Sequence, residues 1–83
     1  MKLNETVEMM NSADYKERFK AEYLQLRIRI NGLSAMLEKY KNGTLDFTPS
    51  CSYDLLHRQL MCMKDYAICL ETRANIEKID LAP

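Results

Sequence analysis

The sequence predicts an all-α protein: a short N-terminal helix and two long antiparallel helices forming a hairpin, assembled into a helical-bundle homo-oligomer. Three observations predict it. Chain-breaking residues are scarce, with two glycines and two prolines in 83 residues, too few for the turns of a sandwich or barrel. Apolar residues recur at alternating spacings of four and three along two long segments, the helical signature. The chain is also too short for one copy to cover the apolar surface on both helices, which sends part of it to other copies.

The single domain divides into a short helix within 1–12, a long helix over 13–42, a connector over 43–51 and a second long helix over 52–81. In the first element Asn4 is placed to cap, and Leu3, Val7 and Met10 share one face. A helix this short holds only by lying on something larger. In the second element Phe19, Tyr23, Leu26, Ile30, Leu33, Leu37 and Tyr40 form an unbroken heptad seam. Ser12 or Asp14 caps its start, and Asn42-Gly43 stops it, with Gly43 free to turn left-handed. Gly32 within the run marks a close approach of another backbone. Ala21, Leu24, Ile28 and Ala35 lie off the seam. A helix apolar on two sides is buried on two sides, so these four residues are assigned to an interface with a neighbouring subunit.

The connector contains Leu45 and Phe47, two apolar residues expected to fold back on the helices, and Pro49 delays the next helix until Ser50 or Ser52 caps it. In the last element Leu56, Leu60, Met63, Ala67, Leu70 and Ala74 form the seam. Leu55, Cys62, Tyr66, Cys69 and Ile76 form a second row, and Ile79 and Leu81 carry the apolar face to the C-terminus.

Chemistry is sparse. Twelve basic and twelve acidic residues give zero net charge, which excludes a general polyanion binder and a polybasic membrane binder while leaving room for a local basic pocket. No stretch is apolar enough for a membrane span, and the start MKLNETVEMMNS lacks the apolar run of a secretory signal. A reducing cytoplasm is therefore the expected location. Cys51, Cys62 and Cys69 are odd in number, form no CxxC pair, and have only His57 for company. Core packing is their expected role, and neither metal nor cofactor is expected. His57 reads as a solvated helical histidine despite Asp54 one turn before it, and no glycine loop, nucleophile elbow or helical EXXH carboxylate set appears. The chain is not expected to be an enzyme. Its methionines, Met9, Met10, Met36, Met61 and Met63 among them, suit core or interface filling.

Tyr15, Lys16, Arg18, Lys20 and Tyr23 crowd the first turns of the long helix, followed by Arg27 and Arg29. Aromatic rings stack on nucleobases and cationic groups neutralise phosphate, so these five residues are the candidate ligand contacts. The bland reading is a solvated face with Asp14–Arg18 as an i, i+4 ion pair and Tyr23 in the seam. Tyr66 and Arg73 form a similar but smaller pair on the other helix.

Several residues follow the pattern of a phage family: Asp14-Tyr15 with Arg18, Glu22-Tyr23, Gly43 with Leu45, Phe47 and Pro49, Leu55-Leu56 with Gln59, and Arg73-Ala74 with Ile76-Glu77. Over 14–81 the chain resembles small uncharacterised proteins of crAss-like phages and gut-bacterial prophages. Ile28 and Ile30 replace charged residues of that pattern, which fits additional oligomer contact. In architecture alone it is similar to phage anti-CBASS sponges, helical oligomers that hold cyclic oligonucleotides between subunits; similar sponges act against Thoeris signals. The resemblance implies a non-enzymatic anti-defence sponge whose partners are its own copies and a cyclic or ADP-ribose-type signalling nucleotide, with no nucleic-acid polymer. The competing expectation is a helical interaction module that binds a host or phage protein through an exposed Leu24/Ile28 face. A structural component of the virion is a third.

Overall fold

Asp14 opens the first long helix by accepting a 2.9 Å hydrogen bond from the Lys16 amide, and Ser12 Oγ accepts one from the Asp14 amide at 3.0 Å. Ser52 does the same for the second, accepting from the Leu55 amide at 3.2 Å. The computed structural model describes residues 1–83. A 3-10 turn, Leu3–Thr6, runs into the single turn α1, Val7–Met10, followed by the long helices α2, Tyr15–Asn42, and α3, Tyr53–Glu77.

Contacts at the two ends make the long helices antiparallel. Tyr15 at the start of α2 reaches Glu77 at the end of α3, while the rings of Tyr40 and Tyr53 meet edge-on at 5.6 Å beside the connector. Between them lies the core: Phe19, Leu26, Ile30 and Leu37 of α2 against Leu60, Ala67, Leu70 and Ala74 of α3. Tyr23, Leu33, Leu56 and Met63 pack around it, so both seams read from the sequence are in place. Each leucine or phenylalanine buried there contributes ~1.5–3 kcal/mol.

The second apolar side of α2 has a different cover from the one the sequence predicts. Ala21 is 0 % and Leu24 6 % exposed within a single chain. The N-terminal segment lies over them, pinned where Gln25 Nε2 donates to Thr6 Oγ1 at 2.9 Å and to Met10 Sδ. The argument that assigned Ala21 and Leu24 to a neighbouring subunit is thereby corrected: their burial is already complete inside the chain. Ile28 is half-buried and Ala35 is exposed.

The segment docks on another face than expected. Leu3, Val7 and Met10 remain 37 %, 43 % and 41 % exposed, while Thr6 is fully buried. The cause is the 3-10 turn, whose three residues per turn shift the helical phase and bring Thr6 inward. Thr6 is satisfied there, its hydroxyl donating to the Leu3 carbonyl at 2.7 Å as it accepts from Gln25. Asn4 makes no cap, and Lys2 occupies the N-cap position without a side-chain bond.

Gly43 ends α2 at φ 73°, and the Thr44 amide returns to the Lys39 carbonyl at 2.9 Å. Gly32 is exposed, and a β-carbon there would meet nothing within 4 Å in the chain, so no backbone of this copy approaches it. The connector turns in at Leu45 and Pro49, both half-buried; Phe47 stays 55 % exposed, against expectation, on an open cleft it lines with Tyr40, Leu45 and Pro49. The helix predicted to 81 stops at Glu77. Lys78 turns left-handed at φ 58°, and Ile79, its amide bonded to the Ala74 carbonyl at 2.9 Å, folds back to 8 % exposure. Covering Ile79 outweighs the strain of a non-glycine residue in that conformation, ~1–2 kcal/mol. Lys78→Gly is therefore expected to stabilise the protein by about 0.5 kcal/mol, net of the glycine's greater unfolded-state freedom, measured by urea denaturation.

The cysteines correct another expectation. Cys51, Cys62 and Cys69 are all exposed. The last two belong to the second row of α3, which points away from α2 with Leu55, Tyr66 and Ile76, also exposed. No helix is long and apolar enough to cross a membrane.

Candidate functional site

The five residues singled out on α2 do not converge. Tyr15 belongs to a closed cluster at the free end of the hairpin. Its hydroxyl donates to Glu77 Oε1 at 3.0 Å and accepts from Arg73 Nη2 at 3.0 Å. Arg73 also pairs with Glu77 at 3.5 Å and lies 4.8 Å over the Phe19 ring, against which Tyr15 tilts at 6.1 Å. Arg73 is thus a structural partner of Tyr15, and not of Tyr66. Arg18 faces elsewhere, Nη1 donating to the Ser12 carbonyl at 2.8 Å. This bond holds the turn before α2 and replaces the expected Asp14–Arg18 ion pair, since Asp14 is committed to its cap.

The remaining three, Lys16, Lys20 and Tyr23, share one stripe that continues through Arg27, Asn31 and Ser34 at helical spacing. Lys16 is exposed, and Lys20, Tyr23, Arg27 and Ser34 are half-buried beside the seam. Across the seam α3 supplies Lys64, Ile68 and Glu71, and with Arg27, Ile30, Asn31 and Ser34 they line an open groove of about 430 Å³. Two cations, Arg27 and Lys64, stand on opposite walls with one carboxylate, Glu71. Asn31 and Ser34 add an amide and a hydroxyl to the wall that carries Arg27. Such a groove suits a polar anion with hydrogen-bonding edges.

Tyr23 closes one end of the groove by donating its hydroxyl to Glu71 Oε2. Burial, then the hydrogen bond to Glu71 and the charge of that carboxylate, raise the Tyr23 pKa above its ordinary value of 10.0, against a smaller lowering by Arg27. A pKa higher in the folded than in the unfolded protein contributes stability below the unfolded value and loses it as pH rises through the folded one. Unfolding free energy should therefore fall above pH ~10, and Tyr23→Phe should flatten that part of the profile. An unchanged slope in the variant would exclude Tyr23 as its source.

Elsewhere the chemistry is quiet. His57 stacks on Tyr53 at 5.8 Å and makes no bond to Asp54. No three histidine, cysteine or acidic groups gather as metal ligands.

A family model described as Sequestin matches residues 13–76. The chain belongs to the Sequestin family. The matched span contains α2, the connector and nearly all of α3, so the groove lies wholly within the Sequestin region and the N-terminal segment outside it. The chain is also 44 % identical over 59 residues to an uncharacterised 7.5 kDa protein from the denB–rIIB intergenic region of Enterobacteria phage T4. That alignment covers 71 % of this chain and 88 % of the phage protein. Kinship with small phage proteins is thus established. No solved structure matches.

None of the five candidate ligand contacts lines the groove; sequence reasoning noted Arg27 beside them and missed Asn31, Ser34, Lys64 and Glu71. The spacing from Lys16 to Ser34 was a usable signal. The contribution of α3 had none, because it depends on how the two helices are set against each other.

Proposed function

We propose that this chain is a non-enzymatic anti-defence sponge of a phage or prophage, which self-associates and sequesters a cyclic or ADP-ribose-type nucleotide of host immunity. The observation that carries this reading is the groove between Arg27 and Lys64, with Tyr23 bonded to its Glu71 and with Lys16 and Lys20 further along the same side of α2. The guanidinium and ammonium groups would take phosphate, and Asn31 and Ser34 the ribose or base edge. The family's name, Sequestin, speaks of sequestering, and the T4 relative is consistent with a phage role. The likeness to anti-CBASS and Thoeris sponges belongs to this reading, and so does action in the host cytoplasm.

The test is a thermal-shift and calorimetry panel of cyclic di- and trinucleotides and ADP-ribose-type compounds on the full chain. One class is expected to raise the melting temperature, and Arg27→Ala and Lys64→Ala each to weaken its binding roughly tenfold, as losing a charged hydrogen bond does. Absence of any shift across the panel would refute the reading. The rival interaction module loses its proposed docking face, since Leu24 is covered by the chain's own N-terminal segment.

A further inference from the structure

Arg27 and Asn31 border more than the groove. One turn apart on α2, the same two residues also line a second hollow, of about 260 Å³. Leu24 and Ile28, next round the helix, form its floor, and Met1 and Pro83 close its sides. The groove therefore lies on the α3 side of Arg27 and Asn31, and the hollow on the side covered by the N-terminal segment.

Contacts between distant parts of the chain build this second hollow. The bond from Gln25 to Thr6 holds the N-terminal segment on α2. At the other end Ile79 is buried and Leu81 packs against the core, which draws the tail back along the hairpin. The Ala82 amide then donates to Asp80 Oδ1 at 2.9 Å, a turn immediately before Pro83.

The two hollows differ in chemistry. The groove carries Lys64 and Glu71, whereas Arg27 has the only ionisable side chain in the second hollow, among four apolar residues. Sites for whole small molecules measure ~300–1,000 Å³, so the second hollow suits a fragment of a ligand. Apolar walls favour a fragment with apolar faces, and the Asn31 amide, both donor and acceptor, favours one with a hydrogen-bonding edge. A nucleobase has both. Arg27 joins the two sites, since its head can hold phosphate on the groove side while its stem lines the hollow.

We infer that this hollow is the base subsite of the nucleotide in the proposed function. The ligand straddles Arg27 and Asn31, with phosphate toward Lys64 and a base beside Ile28 and Pro83. The inference rests on the groove reading, yet two isoleucines report on the halves separately: Ile68 lines the groove and Ile28 the hollow.

Methyl NMR of the full chain provides the test, with adenosine, guanosine, their 5′-monophosphates and ribose 5-phosphate as probes. At least one nucleoside is expected to shift the Ile28 and Leu24 methyls, and ribose 5-phosphate to shift Ile68. The matching monophosphate should shift all three residues and bind roughly tenfold more tightly than ribose 5-phosphate. Ile28→Asp should remove most of that difference, whereas Ala35→Asp, two turns along α2 and outside the hollow, should retain it. Circular dichroism verifies that both variants are folded, and the shifts in the unsubstituted chain decide the outcome should Ile28→Asp fail to fold. Equal affinity for the monophosphates and ribose 5-phosphate would overturn the base subsite and leave the groove reading intact. So would a monophosphate that moves Ile68 without moving Ile28 or Leu24. If no phosphate compound moves Ile68, the groove reading fails, and the nucleosides still decide the hollow: shifts at Ile28 and Leu24 uphold it as a base site, and their absence overturns it.

Discussion

Replacing Leu70 by alanine is expected to lower the unfolding free energy by about 3–4 kcal/mol, the cost of deleting a large buried side chain and leaving a cavity. Leu70 is 1 % exposed and sits in the α2–α3 core with Ile30, Leu60 and Ala67. In a hairpin with so narrow an interior, few neighbours can collapse into the space. Small domains hold roughly 5–15 kcal/mol in total, so the variant should have a much lower urea midpoint followed by circular dichroism. Ile76→Ala, on the outer stripe of the same helix, should change the monomer by no more than about 0.5 kcal/mol. Equal losses at the two positions would mean that the seam has been assigned to the wrong side of α3.

Removing residues 1–11 is expected to cost about 3 kcal/mol, because it uncovers Leu24 and Ala21 together. The truncated chain keeps Ser12 and Asp14, so the start of α2 retains its caps. What it loses is the cover pinned by Thr6 to Gln25. The newly exposed apolar side should increase hydrophobic-dye binding over that of the full chain and promote association through α2. If the deletion neither destabilised the protein nor exposed apolar surface, the N-terminal segment would not be the lid described above. A milder substitution, Thr6→Arg, should displace the same segment, since a fully buried side chain has no space for a charged one.

These two experiments separate the layers that determine the fold. The seam was legible before any coordinates: Phe19, Leu26, Ile30 and Leu37 from one periodicity, Leu60, Ala67, Leu70 and Ala74 from the other. The caps at Asp14 and Ser52 and the left-handed stop at Gly43 were legible too, since each is a local bond within a few residues. Sequence patterning misread the second row of α3. A wide apolar face looks the same whether it turns toward a neighbouring helix or away from it, and Cys62 and Cys69 turn away. The end of α3 was also misplaced, because the apolar period continues through Ile79 while the backbone reverses at Lys78.

The candidate site shows the same division. A cluster in sequence brought Tyr15, Lys16, Arg18, Lys20 and Tyr23 under one heading, yet a helix turns about 100° per residue and disperses such neighbours around its axis. Tyr15 joined Arg73 and Glu77, Arg18 joined the Ser12 carbonyl, and Lys16, Lys20 and Tyr23 stayed on the helical stripe of Arg27, with only Tyr23 bonded to a groove residue, Glu71.

By itself, the sequence determined an all-α hairpin, the phase of each long helix, and where α2 begins and stops. These follow from period, caps and breakers, which act within a turn or two of chain. Only the tertiary structure decided what covers the second side of α2, which way the cysteine row of α3 faces, and which polar residues share a groove. Those outcomes depend on contacts between residues far apart in the chain, such as Thr6 with Gln25, Tyr23 with Glu71 and Tyr15 with Glu77. A period fixes how a helix is turned relative to itself; its neighbours are fixed by the packing of one element on another.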